Sequence, residues 1–355
     1  MVYLEVERST RTAAGPGRLA PVTRAYGARS RRSPHLASAE ARGVSSHLIG
    51  SPRQTRRGGY MRVGVIGCGY WGANHVRTLT TMDDVDTVVA IDERKAICES
   101  ISTKFPSVIA RPTLGEAIDD IDAVVVATPP VSHFDLTAEA AEAGKHVLVE
   151  KPIATGSKQA AEMVRIAEDA GVVLAAGHTF AHNAAVWKLG EIIDAGDLGT
   201  LHYLDAARLN LGLYRDDVNV LWDLAAHDIS ITLALLREVP DTVSAWGSRH
   251  TAGYSEDVAT MRMTFEKQQV ESTVRVSWLD PLKIRRTTLV GSKKMAVYDD
   301  IDPDERIKIF DRGRSQSVVD DDEAGSITYH QGDIRSPRVE FGEPLRNELV
   351  DFLSC

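Results

Sequence analysis

The 355-residue sequence predicts an α/β chain, in which an N-terminal doubly wound parallel sheet is followed by an α+β unit with an open, largely antiparallel sheet. Three observations carry this. From Met61 to about Phe180, apolar runs of strand length alternate with stretches of helical periodicity, the pattern of parallel strands joined by crossover helices. The first run, Val63-Gly64-Val65-Ile66, breaks directly into Gly67-Cys68-Gly69-Tyr70-Trp71-Gly72, a glycine-rich turn that opens a helix. After about Asn183, strand-like segments follow one another with few helices between them, which argues a second sheet.

In order, the first strands are expected at Arg62–Ile66, Thr87–Ile91, Ala123–Ala127, His146–Glu150 and Val172–Ala176. Helices fill the gaps, notably Ser132–Ala143 and Ser157–Ala170, each followed by the glycine expected just past a helix end. A helix over Ala184–Ala195 comes next. Strand-like segments then fall at Leu201–Leu209, Thr242–Arg249, Asp257–Phe265, Val270–Trp278, Arg285–Val290 and Met295–Tyr298. This divides the chain into a basic extension (1–60), a dinucleotide-binding Rossmann unit (61–182) and a substrate-binding and oligomerisation unit (183–355).

Residues 1–60 hold eleven arginines, no lysine, and only Glu5, Glu7 and Glu40 as acids, so the remainder is more acidic than the chain's net −9. An acidic globular part is a poor partner for nucleic acid. The extension lacks apolar periodicity and is expected to be disordered. Met61 stands where a natural start would fall, so an upstream mis-start or a dispensable tail is expected; a transit peptide or a nucleic-acid arm shares the composition. No apolar run is long enough to span a bilayer. Cys68, Cys98 and Cys355 have no metal-type spacing, which fits a reducing cytoplasm and implies no metal. The last stretch, from Pro344 to Cys355, reads as the opening turns of an amphipathic helix cut short, leaving Leu349, Val350, Phe352 and Leu353 without full packing partners.

The glycine turn points to a dinucleotide. Gly67 allows the tight turn, Gly69 lets the backbone approach a pyrophosphate and Gly72 lets the helix pack close, while Cys68, Tyr70 and Trp71 line the same loop. Asp92 ends the second strand 20 residues beyond Gly72, where an acid accepts the adenosine ribose hydroxyls. It favours NAD over NADP by repelling a 2′-phosphate, a preference that Arg94 nearby can soften. Thr128, Pro129 and Pro130 are expected to line the cofactor, Ser132 to cap the following helix, and His133 to be structural or a nicotinamide-side contact.

Glu150-Lys151-Pro152 closes a strand at the carboxyl edge, where ligands of open α/β sheets bind, and a cis peptide before Pro152 is an option there. The Lys151 ammonium is placed to hydrogen-bond a substrate hydroxyl. Asp223 and His227 lie four apart at the start of a helix, which puts both on one face, so that the carboxylate orients an imidazole acting as general base. A capping acid beside a structural histidine is the alternative. His178, Asn183, Arg208, Asn210 and Tyr214 are candidate substrate contacts; the Arg285-Arg286 pair reads as surface.

GCGYWG, the Asp92 strand end, ATPPVSH, VLVEKP, GHTF and the D-x-x-x-H of WDLAAH together resemble the glucose-fructose oxidoreductase / inositol dehydrogenase (Gfo/Idh/MocA) family. The resemblance covers residues 61–355. It implies a Rossmann unit, an open-sheet unit used for assembly as a homodimer or homotetramer, a nicotinamide cofactor, and a carbohydrate or cyclitol substrate. By motif, Lys151 matches the family's active-site lysine, Asp223 the supporting aspartate and His227 the catalytic histidine. The stretch from Gly177 to Ser230 is similar to the branch acting on nucleotide-linked sugars, such as UDP-N-acetylglucosamine 3-dehydrogenases, although His182 stands where that branch often has an aromatic. The resemblance thus implies oxidation of a secondary hydroxyl of a sugar nucleotide. An inositol or free-sugar dehydrogenase, or a non-catalytic NAD(H)-sensing regulator, is the alternative. The basic extension and the absence of a C-terminal helix that packs back on the Rossmann unit depart from the family pattern.

Overall fold

The structure, a computed structural model, describes residues 60–355 apart from 213, 216–217, 252–254, 317–326 and 341. The expected disorder of residues 1–60 therefore falls, but for Tyr60, outside the described residues.

Six parallel strands form the first sheet: β1 (Met61–Ile66), β2 (Val85–Ile91), β3 (Ile109–Arg111), β4 (Ala123–Val126), β5 (His146–Glu150) and β6 (Leu174–Gly177). Their order is β3-β2-β1-β4-β5-β6, so the chain reverses its direction of travel across the sheet between β1 and β4. Crossover helices cover both faces: α1 (Tyr70–Leu79), α2 (Lys95–Lys104), the single turn α3 (Leu114–Ala117), α4 (His133–Glu142) and α5 (Ser157–Ala170). Strands covered on both sides need continuous apolar runs, and Ala123-Val124-Val125-Val126 is wholly buried. The three-residue β3 was not legible because it is too short for a periodic signal.

Helix α6 (Ala184–Asp194) leads into the second sheet, of order β14-β13-β12-β11-β7-β10-β9-β8. Its strands are β7 (Leu201–Leu211), β8 (Thr242–Ser248), β9 (Val258–Phe265), β10 (Val270–Ser277), β11 (Leu279–Gly291), β12 (Met295–Asp299), β13 (Ile307–Gln316) and β14 (Ile327–Arg335). Neighbours are antiparallel except β7 and β10. Inward residues of alternating strands, among them Met261, Met263, Phe265, Val274 and Val276, pack with α6 and α7 (Ala226–Leu236) through Leu189, Ile192, Ile231 and Leu235. Tyr203 and Trp246 stand exposed on the other face. Strands β13 and β14 were not predicted; β13 pairs with β12 and β14 with β13.

The C-terminal segment corrects the expectation made for it. Pro344–Ser354 forms α8, and its Leu345, Leu349 and Phe352 are buried against Val63, Val76, Leu79 and Leu148 of the first sheet and α1. Leu353 packs on the same cluster, and Val350 faces outward. Its start is held to α1 by an Arg77–Glu343 ion pair. Among the described residues, no helix is long and apolar enough to cross a membrane.

Candidate active site

The glycine turn connects β1 to α1 at the point where strand order reverses, the usual ligand position of an open α/β sheet. Gly67 has φ +83°, and a Cβ there would stand 2.7 Å from Thr128 Cγ2. At Gly72 a Cβ would lie 1.9 Å from the Gly67 carbonyl oxygen, so only glycine lets α1 start so close to the turn. No atom lies within 4 Å of a Cβ on Gly69, and no side chain caps the first amides of α1. Open backbone beside uncapped helix amides fits a dinucleotide pyrophosphate. Tyr70 and Trp71 are exposed at the helix start with their rings edge to face, 5.7 Å apart. Cys68 contributes only its backbone: the thiol is buried, and burial, then the Asp92 charge, pushes it up to about 12.

Asp92 follows β2 and is 6% exposed. Its Oδ2 accepts from Cys68 N–H at 2.9 Å, and its Oδ1 accepts from Arg94 N–H at 3.0 Å, so it ties the turn to the second strand end. Arg94 folds back onto the same carboxylate with bonds of 2.8 and 2.7 Å. Burial alone would raise this carboxyl, but the Arg94 and Cys68 bonds outweigh it and hold it below the usual carboxylate range. The Arg94 guanidinium, the group expected to soften the preference for NAD, is thereby engaged with Asp92.

At the next strand ends, Thr128 Oγ1 accepts from Ser132 Oγ at 2.8 Å. The same Oγ lies 2.9 Å from Pro129 O, so Ser132 braces the loop and makes no helix-capping bond. His133 is fully buried, its ring nitrogens 2.9 Å from Pro152 O and 2.8 Å from Thr128 O. It joins the loops that carry Thr128 and Pro152, as the structural alternative expects. The Lys151–Pro152 peptide is cis. Glu150 also turns inward: Oε1 meets His75 Nε2 of α1 at 2.8 Å, and Oε2 accepts from Lys151 N–H at 3.2 Å.

Lys151 reaches the second unit. Its Nζ donates to the Asp223 carbonyl at 3.1 Å and lies 3.8 Å from Asp223 Oδ1. Burial lowers the ammonium pKa, against the raising effect of Asp223 and Glu150. The Asp223 carboxylate accepts from Trp278 Nε1–H at 3.1 Å and from Arg215 at 3.5 Å. It does not bind His227, contrary to the reading from spacing. Leu221–Ala225 is a π turn, whose i→i+5 bonding widens the helix so that residues four apart no longer stack.

His227, at the start of α7, is packed against Phe180, ring centroids 4.5 Å apart, and its Nδ1 has no partner. Burial first, then the cations of Arg208 and Lys151, hold it well below the ordinary histidine value of 6.5. The ring is therefore neutral at pH 7, the state that accepts a proton.

The other candidates divide. Arg208 is buried and forms a two-point ion pair with Asp228, Nε to Oδ2 2.7 Å and Nη2 to Oδ1 3.2 Å, and it lies 4.5 Å over Phe180. Both contacts tie it to α7 and to the turn that carries Phe180. Asn183 is buried too, its Oδ1 capping α6 at Ala185 N–H (2.9 Å) and its Nδ2 on Asp300. Tyr214 sits at the rim, 5.2 Å from the Trp278 ring, and donates to Asp257. Asn210 is half-buried near the end of β7. His178, just past β6, has an unpartnered Nδ1; burial, then His182, lowers it to about 4. Four residues at this site were missed. Phe180 stands in the GHTF motif and Trp278 at a predicted strand end, neither with a role assigned to it, His75 is hidden inside α1, and Arg285, read as surface, lies 5.7 Å over Phe180 and pairs with Asp300. Only tertiary contact marks them. Among the described residues no group of histidines, cysteines and acids could hold a metal ion.

This geometry has relatives. The chain is 29% identical over 302 residues to UDP-N-acetylglucosamine 3-dehydrogenase of Acidithiobacillus ferrooxidans, covering 83% of this chain and 88% of the relative. It is 27% identical over 283 residues to myo-inositol 2-dehydrogenase of Thermotoga maritima, covering 75% and 79%. A solved structure of the Acidithiobacillus ferrooxidans enzyme superposes with TM-score 0.66 at 25% identity, over 83% of this chain and 88% of that one. Residues 61–178 match the oxidoreductase family with NAD-binding Rossmann fold, and residues 186–297 match the GFO/IDH/MocA C-terminal domain. With an NAD-fitting turn, a lysine bridging the cleft and both halves matched in order, the chain belongs to the Gfo/Idh/MocA family and is an NAD-binding oxidoreductase acting on CH–OH groups.

Proposed function

We propose that the protein oxidises a secondary hydroxyl of a sugar nucleotide of the UDP-N-acetylhexosamine type, at the 3-hydroxyl of the hexose ring, to a ketone. One observation carries the chemistry: Lys151, at the carboxyl edge of the cofactor sheet, is bonded to Asp223 of the second unit, four residues before the neutral, half-buried His227. His227 takes the hydroxyl proton. Lys151 donates a hydrogen bond to the same oxygen and lowers the cost of the developing alkoxide. Asp223 holds Lys151 in place through its carbonyl and charge, with Trp278 fixing the carboxylate. NAD, held at Gly67–Gly72 and Asp92, supplies the hydride acceptor. Residues 61–182 serve as the cofactor unit and 183–355 as the substrate unit, and the exposed sheet face with Tyr203 and Trp246 suits assembly as a homodimer or homotetramer.

The sugar-nucleotide reading draws on the likeness to UDP-N-acetylglucosamine 3-dehydrogenase across most of both chains. NADH formation with UDP-N-acetylglucosamine, free hexoses and myo-inositol tests it. Turnover with the sugar nucleotide is expected; turnover with myo-inositol alone would move the assignment to a cyclitol dehydrogenase.

A further inference from the structure

Helix α8 does more than cover the first sheet, because its polar residues reach the turn that carries Phe180. Glu348 is 2% exposed, and its Oε2 accepts from Thr179 Oγ1–H at 3.0 Å. Asn347 Nδ2, one residue earlier, donates to the His182 carbonyl at 2.9 Å. These bonds hold both ends of the short turn Thr179–His182. Within it, Phe180 stacks on His227 at 4.5 Å, with the Arg208 guanidinium 4.5 Å from the same ring.

A buried carboxyl needs a reason. Burial, then the neighbouring Glu150 carboxylate, pushes the Glu348 carboxyl well above the usual range, and its Oε1 has no partner. Helix packing alone does not call for such a group: Leu345, Leu349 and Phe352 already supply an apolar seam. An apolar residue would avoid the cost of an unsatisfied buried polar atom, so its presence is tied to the bond it makes.

We infer that Glu348, assisted by Asn347, is a positioning residue for the active site: through Thr179 it fixes Phe180 and so sets the His227 ring against the substrate hydroxyl. This rests on His227 acting as the base. The inference makes the C-terminal helix part of the catalytic apparatus.

The test compares Glu348→Ala, Glu348→Gln, Thr179→Val and His227→Gln. Each is checked for folding by circular dichroism, then assayed for kcat, KM and NAD affinity with UDP-N-acetylglucosamine. In parallel, NMR of ring-labelled histidines follows the His227 signal, assigned by its loss in His227→Gln. Glu348→Ala and Thr179→Val are expected to lower kcat about tenfold to 10²-fold, the scale of a small misplacement of a reacting group, with NAD affinity unchanged. Both should also move the His227 signal out of the shielding of the Phe180 ring. Glu348→Gln, which keeps a neutral acceptor for Thr179, should restore both readouts. Folded Glu348→Ala and Thr179→Val proteins with normal kcat and an unmoved His227 signal would overturn the inference. So would a Glu348→Gln protein as impaired as Glu348→Ala. Retention of turnover by His227→Gln would instead remove the assignment of the base, and the NMR comparison needs no substrate.

Discussion

His227 is the residue on which the proposed chemistry turns, and its surroundings set the expected pH response. A base must be deprotonated to act, and burial with neighbouring cations keeps this imidazole neutral to well below pH 6.5. The acid limb of kcat/KM is therefore expected below that value. Lys151 acts as a charged donor, and burial lowers its pKa from 10.5, so the alkaline limb should come earlier than for an exposed lysine. His227→Ala should remove about 10²–10⁴ in kcat, the usual contribution of a positioned base, with NAD affinity nearly unchanged. Steady-state rates against pH and NAD titration check both; near-normal kcat in His227→Ala would exclude it as the base. The identities of Lys151 and His227 were legible because each stands in a short motif, EKP and D-x-x-x-H. What Asp223 touches was not, since a local widening of the helix redirected it from His227 to Lys151 and Trp278.

Among the elements, the strand–turn–helix unit of β1 and α1 was the most legible, because its constraint is local. A six-residue spacing already encodes a φ of +83° at Gly67 and contact between Gly72 and the Gly67 carbonyl. Gly72→Ala should therefore displace α1 and weaken NAD binding by tenfold or more. Titration by quenching of tryptophan fluorescence reads this out, and unchanged affinity would show that the turn is not the pyrophosphate site. Helix α8 was harder to read. Its amphipathic pattern shows that one face wants covering but not what covers it, and the partners Val63, Val76 and Leu148 lie about two hundred residues or more earlier in the chain. The partners of Arg208 and Asn183 were hidden for a similar reason: only the fold brings Asp228 to the first and the α6 amide to the second.

For the whole molecule, the half-buried histidines His178 and His227 tie stability to acidity. His178 falls from 6.5 to about 4 in the folded chain, so the unfolded chain binds more protons between those values. Its contribution is present above pH 6.5, is lost as pH falls toward 4, and amounts to on the order of 3 kcal/mol at about 1.4 kcal/mol per unit. His227 acts in the same direction. Urea unfolding at stepped pH should show stability declining over this window, with a shallower decline in His178→Gln. Equal slopes in the two proteins would show that His178 is not the group responsible.

Hydrophobic periodicity and glycine spacing, by themselves, determined the two-sheet architecture and the dinucleotide turn with its acid at Asp92, and position at a strand end and at a helix start marked Lys151 and His227. These are properties of neighbours in sequence, fixed by steric limits on the backbone and by which face must be buried. The tertiary structure alone decided which charged groups meet. It paired Arg208 with Asp228, Glu150 with His75 and Glu348 with Thr179, and set Phe180 against His227. Those contacts join distant segments, and their energies come from desolvation and geometry that no local pattern records.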